Sequence, residues 1–346
     1  MESHLEREIH EQPKILRRLI AAETKTIRRV VKRLRRKPPR FIVIAARGTS
    51  DNAAEFAKYA LTIYNGVPVA LAAPSIVTLY DCAPVLRSSL VIGISQSGQG
   101  ADVCAVIDAA NRQQAHTLAI TNDGNSALAK AANDVILLEA GEERSVAATK
   151  TYTSELTAIA MLTAWWNGLP SMIAELDNLE KWAKAALKQE AAVQEIARNF
   201  QAVKEMYIIS RGLNYATSYE ISLKLKELVY IMAQPYSAAD VRHGPIALVE
   251  EGFPCLAIAP IGKALLDMAD LIATLKTRGA RVAIISNDRN VLSQSSLAVR
   301  LPVELPEWLS PIIGVIPGQL LAFHMARLRG YDLDHPRGLR KITITV

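Results

Sequence analysis

Short β-branched apolar runs recur along the chain, and each precedes a longer stretch whose apolar positions have helical spacing. Residues 40–48 (RFIVIAARG), 90–94 (LVIGI) and 117–123 (TLAITND) read as strands followed by turns, and continuous apolar runs of this length suit a parallel sheet covered on both faces. The pattern then returns after a shift of about 164 residues, as self-similarity at fixed period would show it. EMYIISRG (205–212) resembles the first run, Cys255-Leu256-Ala257-Ile258 lines up with Val91-Ile92-Gly93-Ile94, and VAIISND (282–288) matches 117–123. Three landmarks at a nearly constant offset predict a duplicated α/β unit.

Around the two units the chain divides as follows: a helical arm over 1–37, a first unit over 38–170, a helical connection over 171–200, a second unit over 201–331 and a tail over 332–346. In the connection, Leu176, Leu179, Trp182 and Leu187 are placed to face a core. The tail, DLDHPRGLRKITITV, is too polar at its start to extend the preceding helix and ends in a single strand-like stretch.

Parallel sheets of this kind bind ligands at the carboxyl ends of their strands, where the strand order reverses. One such end carries GISQSGQG, residues 93–100, ahead of the helical ADVCAVIDAANRQ. Helix starts offer unpaired N–H groups and partial positive charge, so Ser95, Gln96 and Ser97 can hold a phosphate without a cation. Serine and glycine also make ordinary turns and caps. Arg47-Gly48-Thr49-Ser50 adds two hydroxyls at another strand end, which strengthens the anion reading. The equivalent of the serine loop in the second unit, Pro260-Ile261-Gly262-Lys263, lacks hydroxyls, so only the first unit is expected to keep the cradle.

A second constellation lies in residues 214–245. Glu220, Lys224 and Glu227 stand at i, i+4 and i+7, on one helix face. Such spacing ordinarily marks a solvated ion-paired stripe, but this helix is otherwise apolar and leads to His243 before Gly244-Pro245. A carboxylate and an imidazole in one pocket can share acid and base work. Lys341, by spacing alone, is a solvated tail charge.

The formal charge is +6, yet eight cations fall between Arg28 and Arg40, and removing those eight from +6 leaves −2. The basic run reads as an amphipathic helix ending at Pro38-Pro39, with no nucleic-acid partner expected. Cys82, Cys104 and Cys255 are few, odd in number and without metal-ligand spacing, as in a reducing cytosol. MESHLEREIHEQP is too charged for a signal peptide, and no apolar run is read as approaching the roughly 18 residues that span a bilayer. The longest candidate is taken as Leu156 to Trp166, a core helix. A soluble cytoplasmic protein without membrane attachment is the expectation.

Together, EIHEQP, RGTS, SQSGQGAD, VAATKTYT (146–153), RGLNYATSYEISLKLKE, RHGPIAL and DHPRGLRKITITV resemble the isomerase half of glutamine:fructose-6-phosphate amidotransferase and the wider family of sugar-isomerase (SIS) domain proteins. The resemblance implies an α/β fold of two tandem SIS domains, each a five-stranded parallel sheet flanked by helices in three layers. It implies a homodimeric enzyme acting on a hexose 6-phosphate or aminosugar 6-phosphate. Gly48, Thr49, Ser50, Ser95, Gln96, Ser97 and Ala147 match substrate contacts, and Lys224 a lysine near the same place. Glu227 matches the base that moves a proton between C1 and C2. His243 matches the ring-opening group supplied across the subunit interface, and Lys341 the tail lysine that contacts the open-chain sugar and forms a Schiff base.

Departures narrow the expectation. Gln99, Gly100 and Ala148 stand where the synthase carries Glu, Thr and Ser, and Met232 where it carries His. A glutaminase domain ahead of the arm is not expected, nor with it ammonia supply from glutamine. The reading favours a glucosamine-6-phosphate deaminase, giving fructose 6-phosphate and ammonia. A fructosamine-6-phosphate deglycase, a glutaminase-lacking synthase-like isomerase and a sugar-phosphate sensor without turnover are its alternatives. No cofactor is expected, because an enediol route needs neither hydride nor metal.

Overall fold

A computed structural model of the chain describes residues 3–341. The strand-like end expected in the tail, residues 342–346, lies outside the described residues. Contacts divide the chain into two compact units. One comprises residues 12–143 and 150–180 with Arg340 and Lys341, the other residues 3–11, 144–149 and 181–339.

The first unit holds β1 (Phe41–Ala45), β2 (Val69–Leu71), β3 (Ser89–Ser95), β4 (His116–Thr121) and β5 (Asp134–Leu137). Every neighbouring pair runs parallel, in the order β2-β1-β3-β4-β5. Burial of both faces explains the uninterrupted apolar strands: Val43, Ala45, Val91 and Ala119 pack against Val103, Val106, Ile107 and Ala110 of the helix Ala101–Arg112. The helices Thr49–Asn65 and Lys150–Asn167 pack on each other, and the second is buried on all sides over most of its length.

The helix His4–Arg36 runs through the predicted arm. Leu16, Leu19, Ile27, Val30 and Leu34 are buried along it at the spacing of one helix face. Several of its cations have partners within the fold. Arg28 lies 5.1 Å over the Trp165 ring, Arg33 meets Asp134 at 2.6 Å, and Arg35 donates to the carbonyls of Trp165 and Trp166.

The second unit repeats this sheet. Its strands β6 (Glu205–Ser210), β7 (Met232–Ser237), β8 (Pro254–Ile258), β9 (Arg281–Ser286) and β10 (Ala298–Arg300) take the order β10-β9-β8-β6-β7, again all parallel. Read from β7, this is the order of the first unit. Tyr207, Ile209, Cys255, Ala257 and Ile284 form one face of its core with Met268, Leu271, Ile272 and Leu275 of the helix Leu265–Thr277. The helices Tyr215–Val229 and Ser310–Leu328 pack on each other. At Gly318 they come so close that a Cβ would stand 2.2 Å from Ile221 Cγ1.

That last helix corrects the sequence reading of apolar runs. Within Glu307–Leu328, 22 residues long, an 18-residue window with a mean hydropathy of 1.4 is long and apolar enough to cross a membrane by length and composition. All of that window is buried in the protein, so its hydrophobicity belongs to a core helix.

Candidate functional site

In the first unit the chain order reverses between β1 and β3, which are hydrogen-bonded neighbours, so the loops after both strands leave the same end of the sheet. After β1, Gly48 takes φ +55° and opens the helix Thr49–Asn65. Thr49 is half-buried, whereas Ser50 is buried and donates its hydroxyl to Glu155 Oε1 at 2.7 Å. Arg47 Nε donates to Asp102 Oδ2 at 2.6 Å, and the Asp102 side chain is fully buried in the first turn of the helix Ala101–Arg112.

The loop after β3 is folded on its own serines. Gly98 N donates to Ser95 Oγ at 3.1 Å and Gln99 N to Ser97 Oγ at 3.3 Å. Each hydroxyl thus accepts from the loop and keeps its own hydrogen to donate. Gln96 O accepts from Asn122 N at 3.1 Å, tying the loop to the end of β4. Gly98 is required twice over: its φ is +63°, and a Cβ there would lie 2.2 Å from Ser126 Oγ. Ser95, Gln96 and Ser97 are all half-buried and precede the helix Ala101–Arg112.

A further cluster in this unit gathers around Glu143. Its Oε1 accepts from Thr151 N at 3.1 Å, and its Oε2 from Thr151 Oγ1 at 2.7 Å and from Lys341 Nζ at 2.7 Å. The Glu143 side chain is fully buried and that of Lys341 is 25% exposed.

In the second unit, the helix Tyr215–Val229 carries the predicted charged triplet on one face. Lys224 Nζ donates to Glu227 Oε2 at 2.5 Å and stands 3.4 Å from Glu220 Oε1. Lys224 and Glu220 have 1% and 0% of their side chains exposed, and Glu227 21%. This is no solvated stripe. It is a buried lysine flanked by two carboxylates, of which Glu227 alone reaches solvent. His243 follows the short helix Ala238–Arg242, anchored by its N–H to Asp240 O at 3.0 Å, and its side chain is exposed and not hydrogen-bonded to the triplet.

Ala147, also in this unit, is buried in the loop 144–149. That loop is shaped by Glu8, the first residue of EIHEQP, whose role has no signal in the sequence. The Glu8 carboxylate accepts from Arg144 N at 2.6 Å and Ser145 N at 3.1 Å, while Gln319 Nε2 donates to Thr149 O at 3.3 Å. In the first unit Gln12 of the same motif accepts from Thr153 Oγ1 at 2.9 Å.

The SIS domain profile matches residues 37–164 and again residues 199–329. A glutamine–fructose-6-phosphate aminotransferase (isomerizing) of Pyrococcus horikoshii is 34% identical over 346 residues, 98% of this chain and 57% of that protein. The chain therefore spans a little over half the length of the curated relatives it matches. Among solved structures, the C-terminal domain of glucosamine-fructose-6-phosphate aminotransferase from Francisella tularensis superposes with a TM-score of 0.87 at 29% identity, over 97% of this chain and 99% of that one. The glucosamine-6-phosphate deaminase of Thermotoga maritima shares the fold, with a TM-score of 0.79 at 19% identity over 99% of this chain and all of that one.

Proposed function

Because the chain belongs to the SIS-domain family, we propose that it is an aldose–ketose isomerase of hexose 6-phosphates that deaminates an amino sugar, converting glucosamine 6-phosphate and water to fructose 6-phosphate and ammonia. The observation that carries the reading is the Glu220–Lys224–Glu227 cluster, in which one carboxylate of a buried charged set meets solvent. A general base needs that combination of fixed position and access.

In this account the phosphate is held by the hydroxyls of Ser95 and Ser97 and the N–H groups of their loop, with Gly48 and Thr49 beside them. Gln96, Ser50 and Ala147 complete the substrate contacts. His243 opens the ring, and its exposed side chain serves the site of a second copy in a homodimer. Glu227 takes the C2 proton of the open-chain aldose and returns it to C1, leaving a ketose imine at C2. Lys224 steadies the charge on Glu227 and on the enediol-like intermediate. Water adds to the imine carbon, and the carbinolamine expels ammonia to leave the C2 ketone. Lys341 engages the open-chain sugar as an amine, condensing with a C2 carbonyl with loss of water when the substrate is a ketose.

Purified protein is expected to release ammonia from glucosamine 6-phosphate and to lose that activity in Glu227→Gln. No ammonia and no isomerisation from any hexose 6-phosphate by the wild type would remove the proposal.

A further inference from the structure

The proposed chemistry gives Glu143 no task, yet it is a fully buried carboxylate held from two separate stretches of chain, at Thr151 and at Lys341. Burying an ionised group is unfavourable unless it is paired and hydrogen-bonded. Here the backbone and hydroxyl of Thr151, at the start of the helix Lys150–Asn167, take both oxygens, and the Lys341 ammonium shares Oε2 at 2.7 Å. Thr151 and Glu143 are eight residues apart, whereas Lys341 comes from 198 residues away. The two hydrogen bonds from Thr151 thus hold the carboxylate on the helix independently of the tail.

We infer that Glu143 is a positioning residue that anchors the tail by the Lys341 ammonium and so sets where that amine waits for the open-chain sugar. The inference rests on the reading of Lys341 as the sugar-contacting amine, but the anchor itself does not depend on any substrate. Lys341 keeps 25% of its side chain exposed. An incoming carbonyl can therefore reach the amine from the solvent side, exchanging one charge-assisted hydrogen bond for substrate contacts while the Glu143–Thr151 pair stays in place.

The test reads the anchor without the reaction. The full chain is dimethylated with formaldehyde and cyanoborohydride, and the initial rate at Lys341 is compared by peptide mass spectrometry with that at Lys188, an exposed lysine of the second unit. In the wild type Lys341 is expected to react several-fold more slowly than Lys188. Glu143→Gln keeps an oxygen for Thr151 but removes the charge, and should speed Lys341 roughly tenfold, the worth of a hydrogen bond to a charged group, with Lys188 unchanged. Glu143→Asp, which keeps the charge at shorter reach, should fall between and serves if the first variant does not fold. With an active wild type, Glu143→Gln should lower kcat for ketose phosphates with little change in KM. Equal rates at Lys341 and Lys188 in the wild type, or a Lys341 rate indifferent to Glu143→Gln, would overturn the inference. A protected Lys341 in a protein that turns over no sugar phosphate would instead overturn the function and leave the anchor standing.

Discussion

Lys224 and Glu227 meet at 2.5 Å one turn apart on the helix Tyr215–Val229, with the lysine 1% exposed and the glutamate 21%. A buried cation of this kind is tolerated because Glu220, fully buried, also stands 3.4 Å away. The pair therefore ties stability to the proposed chemistry at one point.

Lys224→Met is expected to destabilise the protein by about 3–5 kcal/mol, because it leaves the Glu220 carboxylate buried without its cation. Urea denaturation of the variant and of a Lys224→Met/Glu220→Gln double variant checks this. The double variant should recover much of the loss, since it removes the buried carboxylate's charge together with the lysine's.

Glu227→Gln should behave differently, since that side chain reaches solvent. Turnover is expected to fall by roughly 100- to 10,000-fold, the range for a general base, while sugar-phosphate binding persists. A thermal-shift titration with fructose 6-phosphate separates the two effects, because a ligand selective for the folded state raises Tm.

In the loop after β3 proposed to hold the phosphate, Gly98→Ala should cost on the order of 1–3 kcal/mol of stability, combining an unfavourable φ with a clash against Ser126. Ser97→Ala at the neighbouring position should leave Tm nearly unchanged and weaken hexose 6-phosphate binding by about tenfold, the worth of a charge-assisted hydrogen bond. Isothermal titration against the phosphorylated and unphosphorylated sugar reads the difference.

Much of this was legible in the chain. The strands were visible because both sheet faces are covered, which leaves uninterrupted apolar runs such as Ile42-Val43-Ile44-Ala45. The charged triplet was visible because helix geometry places i, i+4 and i+7 together. Its burial was not, because a solvated stripe has the same spacing. The helix Ser310–Leu328 is masked in the sequence because Gly314, Pro317, Gly318 and Gln319 interrupt its apolar run, although each is buried. Glu8 and Glu143 escaped for another reason. Arg144 N lies 136 residues from Glu8 and the Lys341 ammonium 198 from Glu143, and a lone carboxylate carries no local signal of a distant amide or ammonium.

Glu23 supplies a pH prediction. It lies between Leu19 and Ile27 on the buried face of the helix His4–Arg36 and is itself buried. Burial, and then the charge of Glu139, push its carboxyl above the ordinary value of 4.5 against the opposing pull of its hydrogen bonds to Thr26 and Leu137. Folding therefore favours the protonated form. The contribution is fully present below 4.5 and is lost as the pH rises through the higher folded-state value. Glu23→Gln, which keeps the shape without the charge, should raise Tm at pH 7 and match the wild type near pH 4.

The central claim is that Glu227 moves a proton between the first two carbons of a phosphorylated hexose. Incubation with fructose 6-phosphate and with glucosamine 6-phosphate in heavy water, followed by proton NMR of the recovered sugar, measures it directly. The account predicts deuterium at C1 of the ketose or C2 of the aldose with the wild type and none above background with Glu227→Gln. No exchange from either sugar with folded wild-type protein, or equal exchange by the variant, would contradict it.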